Sequence, residues 1–367
     1  MQDETTGETT GPAQPAEGRP DERPSRARPT ARIVDVARRA QVSPATVSRV
    51  FNGSRAVKTP HRERVLRAID ELGYRPNLLA RNLRRQKAGM IGVLVSDIEN
   101  PHFTAMVRVV EDAAYRLGYR VLLCNTDETA AKQRAYLEML AAERARGVIL
   151  APSDPAGREI ETVLDLGIPV VAFDRPVDDP RADAVVADNV GAGRQATEYL
   201  LAAGHERVGF IGDPRVETCV ARLSGYEEAM RAAGLPSRAT DGRSRIEGGA
   251  GAAEQLVSDP GDPGDPGDGT PTALVVANNL MALGALRVLR ARGLRVPARM
   301  SVVAIDDPFW TELVEPPLTV LAQPVRRMAE CVVELLLERI EAGRTDARRI
   351  VFACKLIERE SVRRRVR

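Results

Sequence analysis

Four polar side chains near the start of the chain lie close enough in sequence to bind nucleic acid together: Thr46, Ser48, Arg49 and Asn52. A guanidinium such as that of Arg49 can donate two parallel hydrogen bonds to the major-groove edge of guanine, which discriminates against other bases by about 1–3 kcal/mol. Hydroxyl and amide side chains like the other three suit phosphate contacts, which position a protein on the duplex. The segment therefore predicts contacts to double-stranded DNA.

A short helix is predicted to carry these side chains. Ser43 can cap its N-terminus, Pro44 is tolerated at its first position, and Asn52-Gly53 ends it. The apolar residues that we expect to face inward are Val47, Val50 and Phe51. The residues left outward, at the end where a recognition helix meets base edges, are Pro44, Ala45, Ser48 and Arg49. Because the side chains of Pro44 and Ala45 donate no hydrogen bond, we expect them to read thymine methyl groups or DNA shape.

Two flanking helices complete a helix-turn-helix. The preceding helix has apolar residues at i, i+3, i+4 and i+7, namely Ile33, Val36, Ala37 and Ala40. A third helix begins at Thr59-Pro60 and ends at Gly73. The residues that it is expected to turn inward are Val65, Leu66, Ile69 and Leu72.

The charge distribution supports this interpretation. From Arg32 to Lys87 there are 14 Lys and Arg against 4 Asp and Glu, a local net charge of +10 in a chain whose total is +2. A basic block on a slightly acidic body is typical of a protein that binds phosphates. The alternative is a charged helical face that is merely solvated, but the charge coincides with the helix caps and the turn.

From Met90 onward the pattern changes to short apolar runs separated by helical segments, such as one from about Pro101 to Leu117. The runs fall into two sets, at residues 91–95, 121–124, 148–150 and 170–173, and at residues 208–211, 274–277 and 302–305. Strands that alternate with helices predict parallel sheets covered by helices. The fold class is therefore an all-α helix-turn-helix head followed by an α/β body with two lobes.

After residue 30 the chain resembles the lactose, galactose and purine repressor family of bacterial transcription regulators. The resemblance rests on many segments in the same order, among them VSPATVSRVFNG, ELGYRPNLLARNLR, IGVLVSDIENPHF, ARLSGY, SVVAIDD and PPLTVLAQP. It implies an effector domain like the periplasmic binding proteins, with a ligand cleft between its lobes, and a homodimer on a pseudo-palindromic operator. Gln41 stands where the family commonly has glycine, and a left-handed backbone there would cost about 1 kcal/mol.

The resemblance also gives a role to the segment after the third helix. Residues 75–77 interrupt the helical pattern, and residues 78–83 could form about two helical turns, which are not stable alone. In the family the corresponding segment folds when two copies meet in the minor groove, and a leucine that matches Leu83 wedges between base pairs. Such a wedge is physically sound for a protein that kinks DNA. The alternative is a plain linker whose leucines pack on the core.

We expect the following organisation. Residues 1–30 form a disordered tail, 31–75 the helix-turn-helix domain, 76–88 the hinge, and 89–367 the effector-binding and dimerisation domain. Lobe 1 covers about 89–187 and 320–346, and lobe 2 about 188–319 and 347–367, with crossings near Asp188, residues 318–323 and Arg348. The repeat DPGDPGDPGD at 259–268 predicts a solvated loop, because proline removes donors and glycine costs backbone entropy.

The predicted effector cleft contains two carboxylates and an arginine. Asp174 and Asp306 each follow a predicted strand, and Arg222 lies in ARLSGY. In similar family members the matching positions hold ligand hydroxyls or polar edges, and this combination suits a polyhydroxyl ligand such as a sugar. Phe103 is expected to provide an apolar or stacking wall, and further polar contacts are expected from Asn278 and Gln323. The alternative for the charged residues is a structural ion pair.

Other positions near the cleft are ambiguous. For His102 and Trp310, ligand contact and ordinary packing are equally good interpretations. Asn279 stands where many relatives carry aspartate, so the effector of a relative should not be transferred to this chain.

Several other functions are disfavoured. There is no apolar run long enough to span a bilayer and no apolar export signal, so a cytoplasmic protein without membrane contact is expected. The four cysteines are scattered, no metal site or cofactor is expected, and no nucleophile–base constellation suggests an enzyme. The segment from Gly191 to Ala196 mimics a dinucleotide fingerprint, but no clear strand and turn precede it. An exported binding protein of the same two-lobed class would have no use for the basic block.

The sequence thus predicts a dimeric transcription regulator, most simply a repressor released from DNA by its effector. A regulator that depends on a corepressor or on a protein partner fits the same residues. The C-terminal segment ESVRRRVR lacks apolar heptads, so no tetramer based on a coiled coil is expected.

Overall fold

The computed structural model describes residues 33–51, 58–72, 89–153, 158–258 and 270–365. Asn52, Leu83, the tail, the hinge and the 259–268 loop lie outside the described residues. The chain divides into two compact units, one that ends at Arg84 and one that begins at Arg85. Within the described ranges, no helix is long and apolar enough to cross a membrane.

The described residues of the first unit form three helices, α1 (Ile33–Ala40), α2 (Pro44–Phe51) and α3 (Thr59–Leu72). Their shared core consists of Val36, Ala37, Ala40, Val47, Val50, Val65 and Ala68. The prediction that Leu66 and Leu72 face inward is wrong, because their exposed fractions are 54% and 37%. Val65 and Ala68 are three residues apart and share the inner face, whereas Leu66 is rotated about 100° away from it.

Local contacts fix the turn between α1 and α2. The Ser43 hydroxyl accepts a hydrogen bond from the backbone N–H of Thr46 at 3.1 Å, so Ser43 caps α2 as expected. Gln41 has a φ of 52°, which is the left-handed conformation considered above. Arg39 and Glu71 form an ion pair of 2.6 Å that ties α1 to α3.

The second unit begins with a parallel α/β segment. Its elements are β1 (Met90–Val95), α4 (Pro101–Arg116), β2 (Arg120–Asn125), α5 (Ala130–Ala142), β3 (Gly147–Leu150), a 3₁₀ turn (Arg158–Ile160), α6 (Glu161–Leu164), β4 (Val170–Asp174) and β5 (Asp183–Ala187). Together with α11 (Val325–Ala342) and β11 (Arg349–Phe352) they form lobe 1. All its strands are parallel, in the order β11-β5-β4-β3-β1-β2.

Lobe 2 repeats this scheme. Its elements are α7 (Asn189–Ala202), β6 (Val208–Gly212), α8 (Glu217–Ala232), β7 (Arg238–Asp241), α9 (Ile246–Val257), β8 (Ala273–Val276), α10 (Asn279–Ala291), β9 (Ser301–Ile305), a 3₁₀ turn (Phe309–Glu312), β10 (Thr319–Ala322) and β12 (Lys355–Ile357). The strand order is β12-β10-β9-β8-β6-β7, and only β12 runs antiparallel to its neighbour. Both sheets are buried between helices, which explains the continuous apolar runs in the sequence.

The chain passes between the lobes three times. It crosses after β5, again between β10 and α11, and finally between β11 and β12. The third crossing therefore lies at residues 353–354, and the prediction near Arg348 is wrong. β11 pairs with β5 in lobe 1, with Arg349 opposite Ala184. The segment 320–322, assigned to lobe 1 from the sequence, pairs with β9 in lobe 2.

Gly193 in the fingerprint-like segment and Gly225 on α8 allow close helix packing. A Cβ atom on Gly193 would lie 1.9 Å from the carbonyl oxygen of Arg222, and one on Gly225 would lie 2.0 Å from that of Val190. Only glycine allows α7 and α8 to approach this closely. The contact places Arg222 against the start of α7, where it reaches the space between the lobes.

Candidate effector cleft and DNA-contacting helix

The exposed surface of α2 carries part of the predicted DNA-reading set. Pro44, Ala45 and Arg49 are exposed. Thr46 is half-buried, and its hydroxyl lies 3.0 Å from that of Ser43. The side chain of Ser48 is outside the described part of the structure, as are Asn52 and Leu83. The exposed guanidinium of Arg49 is suited to reach a base edge.

A cavity of about 400 Å³ lies between the two lobes of the second unit. It is lined by all six predicted effector residues: Phe103, Asp174, Arg222, Asn278, Asp306 and Gln323. Most of the lining residues lie in the loops that follow strands of either sheet. Ligands of open α/β sheets bind outside the carboxyl ends of the strands, so this cavity is the candidate effector cleft.

Asp306 lies on the lobe 2 side of the cleft and is held by two amides. Asn279 Nδ2 donates to one of its carboxylate oxygens at 3.0 Å, and Gln323 Nε2 donates to the other at 2.7 Å. Asp306 has a φ of 81°, a left-handed conformation that is unusual for aspartate and is imposed here at the end of β9. Both amide oxygens are buried and have no partner in the described structure.

His102 is buried between carboxylates from both lobes. Its Nε2 lies 3.4 Å from Asp174 Oδ1 in lobe 1, and its Nδ1 lies 3.9 Å from Asp306 Oδ1 in lobe 2. Burial alone would lower the pKa of His102, but Asp174 and Asp306 outweigh burial and raise that pKa. These contacts are electrostatic, because neither ring nitrogen makes a hydrogen bond of good geometry in the described structure. The ring also stacks on Phe173 at 5.6 Å.

Asp174 stays ionised despite its burial. Burial would raise the pKa of this carboxyl, but His102, Arg175 and Arg222 lower the pKa to about 2. Its neighbour Arg175 is fixed by a two-point ion pair with Glu128, at 2.6 and 2.7 Å. The cleft therefore presents a rigid anionic acceptor at this end.

Arg222 is buried without a carboxylate in contact. Its side chain donates to Asn189 Oδ1 at 2.9 Å and to the carbonyl oxygen of Ala277 at 2.5 Å, and the residue is only 3% exposed. No carboxylate of the described residues lies within ion-pair distance of it. A structural ion pair, the alternative considered for this residue, is therefore not what holds it. The guanidinium retains donor capacity toward the cleft.

The remaining predicted residues have mixed roles. Phe103 is buried and packs edge-on against His102 at 5.2 Å. Asn278 caps α10, because its side-chain oxygen Oδ1 accepts a hydrogen bond from the backbone N–H of Met281 at 2.8 Å. That oxygen is therefore already hydrogen-bonded. Trp310 is half-buried against the lobe 2 core and does not line the cavity.

One short segment of lobe 1 makes polar contacts across the cleft. Asn100 accepts a hydrogen bond from Asn279 at 2.8 Å, and Asp97 lies 3.9 Å from Arg245. His102 faces Asp306 from the same segment. Residues 97–102, here called the lobe 1 clasp, thus hold lobe 2 through groups that a ligand would have to meet.

Sequence reasoning missed several cleft residues. Asn100, Arg175 and Glu128 were not selected, although Arg175 directly follows Asp174 and Asn100 directly precedes the predicted helix at Pro101. A search of the residues around each predicted strand end would have found these two. Glu128 lies three residues beyond β2 in a turn with a left-handed backbone, and its pairing with Arg175 has no sequence signal.

Two family models match the chain. One, described as bacterial regulatory proteins of the lacI family, matches residues 32–77, and one described as a periplasmic binding protein-like domain matches residues 197–362. The HTH-type transcriptional repressor PurR of Vibrio atlanticus (strain LGP32) is 34% identical over 339 residues, which covers 91% of this chain and 99% of that protein.

Solved structures agree with these matches. A crystal structure of the lac repressor dimer bound to operator and the anti-inducer ONPF superposes with a TM-score of 0.77 at 26% identity, over 91% of this chain and 100% of that one. The transcriptional regulator CelR in complex with cellobiose superposes with a TM-score of 0.65 at 34% identity, over the same shares of the two chains. This chain therefore belongs to the lacI family of bacterial regulatory proteins and is a transcriptional regulator that binds DNA through its helix-turn-helix.

Proposed function

We propose that the protein is a homodimeric repressor whose operator affinity is changed by a polyhydroxyl effector bound between its lobes. The observation that carries this proposal is the cavity at the strand ends of both sheets, lined by Asp174, Arg222 and Asp306. The cellobiose in the CelR complex is a ligand of this chemical class.

The side chains in the cleft are complementary to hydroxyl groups. Asp174 and Asp306 can each accept two O–H donors, and Arg222 offers a fork of N–H donors to ring or hydroxyl oxygens. Phe103 lies beside them as the apolar wall that a sugar face would cover. Gln323 and Asn278 are proposed to contribute secondary polar contacts.

Effector binding is proposed to act through the lobe 1 clasp. A ligand between Asp174 and Asp306 must displace the electrostatic contacts of His102 and compete with Asn100 and Asn279 for hydrogen bonds, so it changes the balance between open and closed lobes. This balance in turn changes the packing of the hinge helices on DNA. The coupling must be reciprocal, because operator and effector bias the same equilibrium. We expect effector binding to weaken operator binding.

An exposed apolar surface on lobe 2 supports a homodimer. Leu313 and Phe309 are 76% and 77% exposed. A groove of about 1100 Å³ between α10 and residues 313–317 is lined by Leu283, Leu286 and Val314 among others. Apolar surface of this kind is usual at an interface between identical subunits related by a two-fold axis.

Selection of bound sequences from a random duplex pool tests the proposal. The full-length protein is used at physiological salt, with and without each member of a panel of sugars and purines. A pseudo-palindrome with a flexible central step, whose enrichment is lost with one sugar, is the expected result. Enrichment only in the presence of a compound would instead make that compound a corepressor, and no enrichment under any condition would contradict the DNA-binding role of these residues.

Two variants separate the two sites. Arg222→Ala is expected to abolish the effector response while the ligand-free protein keeps its operator affinity, and Arg231→Ala, an exposed arginine outside the cavity, is the matched control. Leu83→Ala is expected to lose operator selectivity but to keep weak, salt-sensitive binding. An unchanged effector response in Arg222→Ala would place the ligand elsewhere, and wild-type specificity in Leu83→Ala would contradict the hinge wedge.

A further inference from the structure

Two aspartates occupy matching places in the two lobes, and one histidine lies between them. Asp174 ends β4 and Asp306 directly follows β9, and each of these strands is the third in the order of its sheet. Both aspartates have a left-handed backbone, with φ values of 70° and 81°, which is uncommon for residues other than glycine. Both also line the cavity. The two lobes therefore present the same acidic group to the cleft from opposite sides.

The ring of His102 reaches both carboxylates. Its Nε2 lies 3.4 Å from Asp174 and its Nδ1 lies 3.9 Å from Asp306, and the side chain is only 4% exposed. A neutral imidazole has one N–H donor and one nitrogen lone pair, so it would turn a lone pair toward one of the two carboxylates. The protonated ring has an N–H on each nitrogen and is attracted to both. The geometry therefore fits a buried imidazolium that links lobe 1 to lobe 2.

The groups around the ring act on this proton in both directions. Burial lowers the pKa of His102, Asp174 and Asp306 raise it, and Arg222 on α8 lowers it, with a net rise. The ring is also fixed in place, because the Asn100 side chain accepts a hydrogen bond from the backbone N–H of His102 at 3.0 Å. The charged residues next to the two aspartates in sequence, and those at the start of α11, have other partners: Arg175 pairs with Glu128, Asp307 with Arg359, Arg326 with Glu330, and Arg327 lies over the Phe352 ring.

We propose that a proton on His102 holds the two lobes together at the base of the cleft and competes there with the effector. An effector whose hydroxyl groups donate to Asp174 and Asp306 takes the place of the two N–H groups of the ring. The ring then stays buried near Arg222 without its counter-charges, so it releases the proton to solvent. This inference rests on the proposed function and adds a regulation of the same site, in which acid opposes effector binding.

This competition has a defined pH dependence. Below the pKa that His102 has in the ligand-free protein, the effector can bind only as the proton leaves. Effector affinity should therefore fall by up to about tenfold for each unit by which the pH falls. Above that pKa the ring is already neutral, and affinity should no longer depend on this group.

The first experiment measures the proton without a ligand. The chain has three histidines, so the full-length protein labelled with 13C at histidine Cε1 gives three signals, and His102→Gln identifies one of them by nuclear magnetic resonance. We expect the His102 signal to titrate above 6.5 in the wild type and at a lower pH in Asp306→Asn, which removes the lobe 2 charge and tolerates the left-handed backbone.

His205 serves as the internal control for folding. Burial lowers its pKa to about 4, and its signal should be the same in the wild type and in Asp306→Asn. A His102 pKa at or below 6.5 in the wild type would overturn the proposal. A His102 pKa that Asp306→Asn leaves unchanged would overturn it too, because lobe 2 would then have no hold on the proton.

The second experiment uses cellobiose and glucose as probes. Calorimetry at pH 7 in PIPES and in imidazole, two buffers that differ in ionisation enthalpy, gives the number of protons released for each sugar bound. We expect the wild type and the His61→Gln control, altered only in the first unit, to release up to one proton. Any binding that remains in His102→Gln should release none.

The outcomes distinguish this inference from the function on which it rests. Sugar binding without proton release, or with equal release in His102→Gln, would contradict the proton competition and support the polyhydroxyl cleft. A raised His102 pKa that depends on Asp306, with no binding of either sugar, would support the proton between the lobes and contradict the polyhydroxyl effector.

Discussion

Asn279→Asp tests the electrostatics of the cleft directly. The side chain of Asn279 is fully buried, and its amide donates to Asp306 at 3.0 Å and to Asn100 at 2.8 Å. The substitution removes both donated hydrogen bonds and places a second carboxylate against Asp306.

The size of the effect follows from the contact distance. Two unit charges 3 Å apart repel by about 5–6 kcal/mol at an effective dielectric constant of about 20. The protein can avoid this repulsion by keeping the new carboxyl protonated, which at pH 7 costs about 4 kcal/mol for a group with an ordinary pKa near 3.9. We therefore expect a loss of about 4 kcal/mol in the free energy of unfolding at pH 7.

The pH dependence gives a second signature. Because the folded-state pKa of the new carboxyl is raised above its unfolded value, the penalty is present at neutral pH and shrinks as the pH falls from the raised pKa toward the ordinary value near 3.9. The deficit should decrease by about 1.4 kcal/mol per pH unit, to about 1–2 kcal/mol at pH 5. A defect caused only by lost hydrogen bonds would not change with pH in this way.

Urea unfolding at pH 7 and pH 5 measures both quantities. The single tryptophan, Trp310, packs against the lobe 2 core and reports on the lobe that contains Asn279. Asn189→Asp is the matched control, because Asn189 Oδ1 already accepts from Arg222 at 2.9 Å and a carboxylate there gains a counter-charge. An Asn279→Asp protein that is as stable as the wild type at pH 7, or whose deficit is equal at both pH values, would refute the reasoning.

Three further variants probe helix packing, capping and the buried histidine. Gly193→Ala should lower the free energy of unfolding by about 1–3 kcal/mol or more, because its Cβ would lie 1.9 Å from the Arg222 carbonyl oxygen. The control is Gly251→Ala on α9, where a Cβ meets nothing within 4 Å, and this variant should stabilise the protein slightly. Equal effects of the two variants on thermal unfolding would contradict the packing role of Gly193. Ser43→Ala should lower the stability of the first unit by about 1 kcal/mol through loss of the α2 cap, measured by circular dichroism, and no change would show that the cap contributes nothing. Because the pKa of His102 is raised, the stability that its charged form adds relative to His102→Gln should be complete below the ordinary histidine pKa of 6.5. This extra stability should be lost as the pH rises through the raised pKa. A difference in the free energy of unfolding between the two proteins that is constant from pH 5 to 9 would show that His102 acts only by packing.

The helix-turn-helix could be predicted from the sequence because the interactions that define its helices join residues close together in the chain. A cap at Ser43, a proline at the start of the helix and apolar residues three or four positions apart act within single turns. The parallel strands were readable for a related reason, since burial on both faces requires runs such as residues 91–95 and 302–305 to be apolar throughout. The carboxylates at the strand ends followed from the topology of such sheets.

The tertiary structure decided what depends on partners far apart in the chain. β11 joins lobe 1 because it pairs with β5, more than 160 residues earlier, and nothing in its own sequence marks that choice. Leu66 is exposed because the core of the first unit holds Val65 and Ala68 instead. The cleft contacts of His102 and Asn279 join residues from different lobes, so their roles exist only once both sheets have formed. The local sequence thus predicts which residue types lie at the site, whereas the pairing of their charges depends on how the two lobes assemble.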